Sequence, residues 1–480
     1  MKKILTIALV FLIALSLLAG CGGGNGNTSG GNQSAGEDDT NTPPSNDSNT
    51  PNVVWAKNFG GDASDYFESV TPVSDGYIAV GFSFEKSFGT GDLETITKKG
   101  ATDSIIVKYD ANGAVVWKKN FGGNADERFN SVITVSDGFV AVGYAGVTGK
   151  DDWDSLPARR GQQAIIVKFD FNGDAVWKKS FGGDMLDEFL SVVEVSDGYV
   201  AVGCAASSSF GNGDWDSVPG KGNSDAIIVK FDKNGGVVWK NNFGGSSDDT
   251  FTSVAPVGDG YVAVGWSNAG SFGTGDWDTV PGNGDRDAII VKFDTNGGVM
   301  WKENFGGSDS EQFNAVTPAD GGCVAVGDSY GGSFGNGDWD GVTGNGSKDA
   351  IIVKFDTNGG VVWKENFGGS DKDEFNAVTT VSDGYVVAGN SGAFGKGDWL
   401  DFKGNGNNDV IIVKYGASGG VIWKNNFGGG NSDVSRDIIA VSDGYVIVGY
   451  SMSGSIGSGD WSGTAAKGKD DAIIVKFGSK

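Results

Sequence analysis

The residues best placed to do chemistry in this chain are seven aspartates, Asp92, Asp152, Asp214, Asp276, Asp338, Asp398 and Asp460. Six are followed by an indole, at Trp153, Trp215, Trp277, Trp339, Trp399 and Trp461, and the first by Leu93. A ring of carboxylates and indoles can hold Ca²⁺, or accept hydrogen bonds from sugar hydroxyls while an aromatic face stacks on the sugar. The same pair also has a structural use, the carboxylate capping loop amides and the indole filling the groove between packed units. Seven-fold repetition favours the structural use, because a ligand seldom needs seven identical sites. The carboxylates of 184–188 and 371–374 do not follow the spacing of an EF-hand loop, so Ca²⁺ is only weakly signalled and no cofactor is expected.

Departures from the repeat point to a specific site better than the repeated residues do. Near Leu93 stand Lys98 and Lys99, and the next unit carries Pro157-Ala158-Arg159-Arg160, in a chain whose formal charge is −25. A basic notch of this kind would take a carboxylate or phosphate of a partner; drift in a solvated loop is the plainer alternative. Met185 and Leu186 are an apolar departure of the same grade. The candidate ligand-binding rim is therefore the seven aspartates, their six tryptophans, and Lys98, Lys99, Arg159 and Arg160. The chain has no histidine, which removes Ser-His-Asp and Cys-His nucleophile systems, His-liganded zinc and imidazole proton shuttles. No single carboxylate pair stands apart from the repeats as a glycosidase would require, and no catalytic residue is expected.

The elements that carry these residues are set by a repeat. Asp349 to Gly369 reads DAIIVKFDTNGGVVWKENFGG, and its tryptophan recurs at Trp55, Trp117, Trp177, Trp239, Trp301 and Trp423, every 60 or 62 residues. Two β-branched, aromatic runs around Asn358-Gly359 predict a hairpin. A full unit adds an acidic stretch, a short strand such as Ser131 to Val135, a Ser-Asp-Gly turn suited to type I′, the strand Phe139 to Tyr144 and a long Gly/Asp loop. Four antiparallel strands per unit follow. The loop Asp precedes the Asp before Ile-Ile by 11 residues in every unit, with Gln163 there in the second, so length varies only elsewhere, where binding is usually placed.

The chain opens this pattern with a lone Trp strand, Val53 to Phe59, and stops after a lone Ile-Ile-Val-Lys strand, Ala472 to Phe477. Pairing the two completes a seventh four-stranded sheet and closes a ring. The expected fold is all-β, a seven-bladed β-propeller over 53–480. Units ending in FGG, with DAIIVKFD, Asn-Gly and Ser-Asp-Gly elements, resemble the bacterial seven-bladed β-propeller repeat family; the resemblance implies the fold and an extracytoplasmic setting and carries no agreed activity. The run Asp294 to Trp301 is also similar to the tryptophan-docking motif of quinoprotein propellers, but its Asp-to-Trp spacing is one residue shorter, so no quinone site is implied.

Lys2 and Lys3, an apolar run from Ile4 to Leu18 and the end Leu18-Ala19-Gly20-Cys21 read as a signal peptide over 1–20. The last four residues resemble a bacterial lipobox, which implies a lipid on Cys21. Residues 21–52, rich in Gly, Ser, Asn, Thr, Asp and Pro, are expected to be a disordered tether, with a reach of about 30 Å. Cys204 and Cys323 lie in different units at non-equivalent positions, and no disulfide is expected. Strong acidity argues against nucleic acid, which requires clustered Lys and Arg.

The sequence thus predicts a monomeric lipoprotein, anchored outside the cytoplasm at the cell membrane or surface, that binds an envelope glycan or protein. The alternative is a histidine-free carbohydrate-active lyase or hydrolase using loop carboxylates. Replacing Cys21→Ala is expected to move the protein from membranes to the soluble fraction; retention in a salt-washed membrane pellet would show a different anchor.

Overall fold

A computed structural model describes residues 50–479 except 147, 148, 158, 160 and 393. The leader, Cys21 and most of the tether lie outside the described residues, as does Arg160. The strands, numbered β1 to β28 in chain order, form seven four-stranded antiparallel sheets. Blade 1 is β2 (Asp65–Val73), β3 (Gly76–Phe84), β4 (Thr102–Asp110) and β5 (Val115–Phe121), and blades 2 to 6 repeat that order. Helix among the described residues is confined to three-residue 3-10 turns in the long loops.

The ring closes as the lone strands require. β1 (Val53–Phe59) pairs antiparallel with β28 (Asp470–Gly478), in register from Phe59 opposite Ala472 to Trp55 opposite Lys476 and with a shift before Val53 opposite Phe477, in the sheet that also holds β26 (Asp433–Val441) and β27 (Gly444–Met452). This is blade 7, built from both ends of the described residues.

Why the blades need each other follows from the third strand. In β4, Ile105, Ile106 and Val107 are all buried although they point to alternate faces, so both faces of the blade are apolar. Seven core clusters result, each between two neighbouring blades. The cluster between blades 1 and 2, for example, sets Val80 and Ile106 against Phe129, Phe139 and Val167. The Trp strands add a second inter-blade contact: the Trp55 indole donates to the carbonyl of Ala111 in the next blade at 3.3 Å. Gly113 there has φ +78°, and a Cβ on it would lie 2.9 Å from the Trp55 ring, so the docking turn needs glycine on both counts.

Two local expectations are corrected. The strand expected over Ser131 to Val135 is β6 (Glu127–Val135): it starts inside the acidic stretch, and a bulge between Phe129 and Ser131 shifts its register. Every inner strand has the equivalent bulge. In blade 1, Gly81 lies opposite it, where a Cβ would be 2.0 Å from the Tyr66 carbonyl oxygen. The Ser-Asp-Gly turn is not type I′. Val73 pairs with Gly76, leaving Ser74-Asp75 as the loop, and neither has the positive φ that type I′ demands. Asp75 is instead held by the Lys108 ammonium at 2.8 Å. The Asn-Gly turn lies between Asp356 and Val361 as the two runs require, and Asp356 Oδ1 accepts the amides of Asn358 at 2.7 Å and Gly360 at 2.9 Å. Cys204 and Cys323 are buried free thiols.

Removing Val53 to Gly61 would strip β1 from β28 and expose the edge of blade 7, with loss of the buried Phe59 side chain. The expected cost is several kcal/mol, since one buried aromatic contributes roughly 1.5–3 kcal/mol before the ladder is counted. Denaturant melts comparing the truncated and intact propellers check this, and coincident curves would contradict closure by β1.

Candidate functional site

The seven loop aspartates are bound to backbone, one per blade junction. Each long loop folds over the FGG end of the preceding blade's outer strand. There Asp92 Oδ2 accepts the Gly60 amide at 3.1 Å while its own N–H donates to the Gly60 carbonyl at 2.8 Å. The remaining six repeat the contact, with Gly122, Gly182, Gly244, Gly306, Gly368 and Gly428 donating to Asp152, Asp214, Asp276, Asp338, Asp398 and Asp460 at 2.8–3.0 Å. The next residue turns inward. Trp153, Trp215, Trp277, Trp339, Trp399 and Trp461 are 0 % exposed, and Leu93 takes the same place in blade 1. These indoles therefore offer no face to a sugar, which corrects the expectation that they line a binding rim. Each packs edge-on against the phenylalanine of FGG, as Trp277 does on Phe243 at 4.9 Å.

The second glycine of FGG has its own carboxylate, the first residue of the next inner strand. Gly61 donates to Asp65 at 2.9 Å, Gly183 to Asp187 at 3.0 Å and Gly429 to Asp433 at 2.8 Å. These side chains are buried. Burial pushes Asp65 up to about 7, Glu127 to about 8, Glu311 to about 7, and Asp187, Asp249 and Asp373 to about 6. Sequence reasoning placed this residue in an acidic loop; it is a buried strand residue because its oxygens satisfy loop amides.

The basic notch is also part of the scaffold. Lys99 Nζ reaches Asp152 of the next blade at 2.5 Å and Arg159 reaches Asp214 at 2.6 Å. The same repeat position sends Lys221 to Asp276 at 2.5 Å, Lys467 to Asp92 at 3.1 Å, Asn345 to Asp398 at 3.0 Å and Asn405 to Asp460 at 2.9 Å. Lys99 and Arg159 are thus members of a recurring strap between blades, and Lys98 pairs with Glu85. Met185 and Leu186 do stay exposed. Among the described residues no three His, Cys, Asp or Glu side chains converge as a metal site would require.

What the scaffold leaves over lies at the axis. The inner strands are β2, β6, β10 (Asp187–Val195), β14 (Asp249–Val257), β18 (Glu311–Ala319), β22 (Asp373–Val381) and β26. Each packs on its two counterparts, closing a circle around the central opening. Their starts read DYFES, ERFNS, DEFLS, DTFTS, EQFNA, DEFNA and DVSRD. The first and third positions are buried, and the bulged fourth is at least partly open to solvent in every blade. That fourth position carries Glu68, Asn130, Leu190, Thr252, Asn314, Asn376 and Arg436. Asn130, Asn314 and Asn376 each donate to the next inner strand's carbonyl at 2.9 Å and Thr252 does so at 2.7 Å. Glu68 and Arg436 break the pattern, facing each other at 3.4 Å across the junction of blades 1 and 7. Burial raises Glu68, against the pull of Arg436 and Arg128. Sequence reasoning missed this ring because it compared loops. The signal was in the strands, where two unlike positions flank a phenylalanine in six units of seven.

No family model matches the chain. The regulatory protein FlaEY of Caulobacter vibrioides is 24% identical over 257 residues, covering 49% of this chain and 26% of that protein, so this chain matches about a quarter of its relative's length. Among solved structures, the WD40 domain of Neurospora crassa Pan2 covers 86% of this chain and 90% of its own at 8% identity and a TM-score of 0.43. The WD40 propeller domain of Doa1 covers 90% and 98% at 11% identity and 0.44, and a europium-containing methanol dehydrogenase 85% and 81% at 11% and 0.37. No residue role passes from any of these proteins to this one.

Glu127 gives a pH signature. Its side chain is 0 % exposed, and burial, reinforced by Asp103, Asp126 and Asp152 and opposed by the Gly123 amide, raises it from 4.5 to about 8. The folded state therefore holds a proton that the unfolded chain releases, so this stabilisation is full below pH 4.5 and is lost as pH rises towards 8. The slope is about 1.4 kcal/mol per pH unit for one such proton. Glu127→Gln is expected to stabilise the protein at pH 8 and to match the parent near pH 4.5; parallel curves across that range would contradict the assignment.

Proposed function

We propose that this protein is a lipid-anchored, extracytoplasmic binding module that takes an envelope glycan or protein at the axial mouth of its loop rim, without turning it over. The observation that supports this reading is the contrast between rim and axis. The repeated carboxylates and indoles are consumed by blade junctions, whereas the fourth inner-strand position presents seven partly open side chains that are mostly unlike one another. Within that ring the Arg436 side chain is 39% exposed and Glu68 20%. A guanidinium and a carboxylate side by side supply planar donors and acceptors for hydroxyls, carboxylates or a polar loop. The lipid on Cys21 supplies the anchoring half of the reading. The Ser-Asp-Gly rim offers only short turns, several closed by ion pairs such as Lys108 to Asp75 and Lys476 to Asp443.

The test is a glycan array and an envelope-protein pull-down with residues 53–480, followed by affinity measurements on the hits. Glu68→Gln with Arg436→Gln is expected to weaken binding about tenfold or more, the loss typical of charged hydrogen bonds, while Val116→Ser on the outer strand leaves it intact. A footprint confined to the Ser-Asp-Gly rim would overturn the placement.

A further inference from the structure

Seven repeats this alike pose a problem of address. Where every junction is made of the same residues, a chain can close with blades in the wrong neighbourhood or exchange strands with another copy, the usual failure of repeat proteins. Most junction contacts here are of that interchangeable kind: loop Asp to first glycine, inner-strand carboxylate to second glycine, docked indole to turn.

We infer that the second residue of each inner strand, with the residues that grip it, is a code specifying which blade packs on which. This residue lies opposite the seventh residue of its own second strand, as Tyr66 lies opposite Phe82. It also meets the preceding blade, whose third strand begins beside it: backbone bridges join Asp470 to Ser64, Arg286 to Ser310 and Lys348 to Lys372. The chemistry changes at every junction where these contacts are seen. From blade 7 to 1, the Tyr66 hydroxyl donates to Asp470 at 2.8 Å and its ring meets Tyr450 edge-on at 4.6 Å. From 1 to 2, the Arg128 guanidinium lies 4.0 Å over the Phe82 ring. From 2 to 3, Gln162 donates to Glu188 at 3.5 Å. From 4 to 5, Arg286, itself 4.0 Å over Trp266, donates to Gln312 at 3.2 Å. From 5 to 6, Lys348 donates to Glu374 at 2.6 Å.

Each wedge is complementary to its own neighbour and discordant with others. The contacts are partly buried, so water relieves a mispaired charge only incompletely, and like charges brought together there act as a penalty on the wrong neighbour. The code also fixes that Glu68 of blade 1 meets Arg436 of blade 7, which gives a nearly symmetric ring one distinct axial point.

Blades 2 and 6 isolate the effect. The stretches Asn124 to Gly183 and Ser370 to Gly429 are equal in length, share FGG and the loop Asp, and carry the same axial residue, Asn130 and Asn376. Their wedge residues differ: Arg128, Tyr144 and Gln162 against Glu374, Asn390 and Asn408. Exchanging the two stretches in the full chain sets Arg128 against Lys348 and lays Glu374 on Phe82 beside Glu68. The exchanged protein is expected to melt about 5 °C or more below the parent, or to lose its monomeric form on sizing columns. Returning six residues, Glu374→Arg, Asn390→Tyr and Asn408→Gln in the transplanted blade 6 and Arg128→Glu, Tyr144→Asn and Gln162→Asn in the transplanted blade 2, is expected to restore the parent's melting temperature and monodispersity. An exchanged chain that melts like the parent as a monomer would overturn the code. So would a destabilised one that the six reversions fail to rescue, since neighbour choice would then reside elsewhere.

Discussion

A blade that is apolar on both faces cannot stand alone. Ile105, Ile106 and Val107 occupy both sides of one strand and all are buried, so every blade needs two neighbours and the array needs closure. That constraint explains the split seventh blade. An end blade with one bare face would leave half of an inter-blade core in water, at about 25 cal/mol for each Å² of apolar surface exposed. Pairing β1 with β28 ties the first and last strands into one sheet and leaves no blade terminal.

Closing the ring brings loops from adjacent blades into contact, and loops carry unpaired amides. The first glycine of each FGG donates its amide to a loop aspartate, and in every unit but the one that carries Glu127 the second donates to an inner-strand carboxylate. These two positions hold fourteen of the chain's 61 acidic residues. Several of these carboxylates sit near or above neutrality, being desolvated by the packing that makes them useful. The repetition that first suggested a ligand ring is the repetition of seven equivalent blade junctions.

Function has to reside where equivalence fails. In the loops the apparent failures, Lys99 and Arg159, prove to be variants of one strap. In the inner strands they are real: the second position changes at every step round the ring and the fourth at every step but that from Asn314 to Asn376, while the phenylalanine between them changes only in blade 7, to Ser435. The second position pairs regularly and meets the neighbouring blade, whereas the fourth is itself the bulged residue, left out of the ladder and re-aimed by the bulge.

Strand number, blade number, ring closure and the two rims were legible in the sequence, because they depend on local period, turn residues and the unmatched strands at Val53 and Phe477. Even there, local rules misjudged details. Asp-Gly suggested a type I′ turn, yet the pairing of Val73 with Gly76 left Ser74-Asp75 as the loop. The acidic stretch looked like solvent-facing loop, yet Asp65 and Glu127 are buried, and Asp65 is held by the Ser87 hydroxyl, a partner 22 residues away that a linear reading does not see. Tertiary structure alone decided the fate of the loop tryptophans. An indole after a turn aspartate has the same local sequence whether it faces water or a neighbouring FGG, and only closure of the ring places that phenylalanine 4.9 Å away. It alone decided, too, that Glu68 and Arg436, 368 residues apart, stand side by side: they belong to the first and last blades, and the contact exists because the ring is shut.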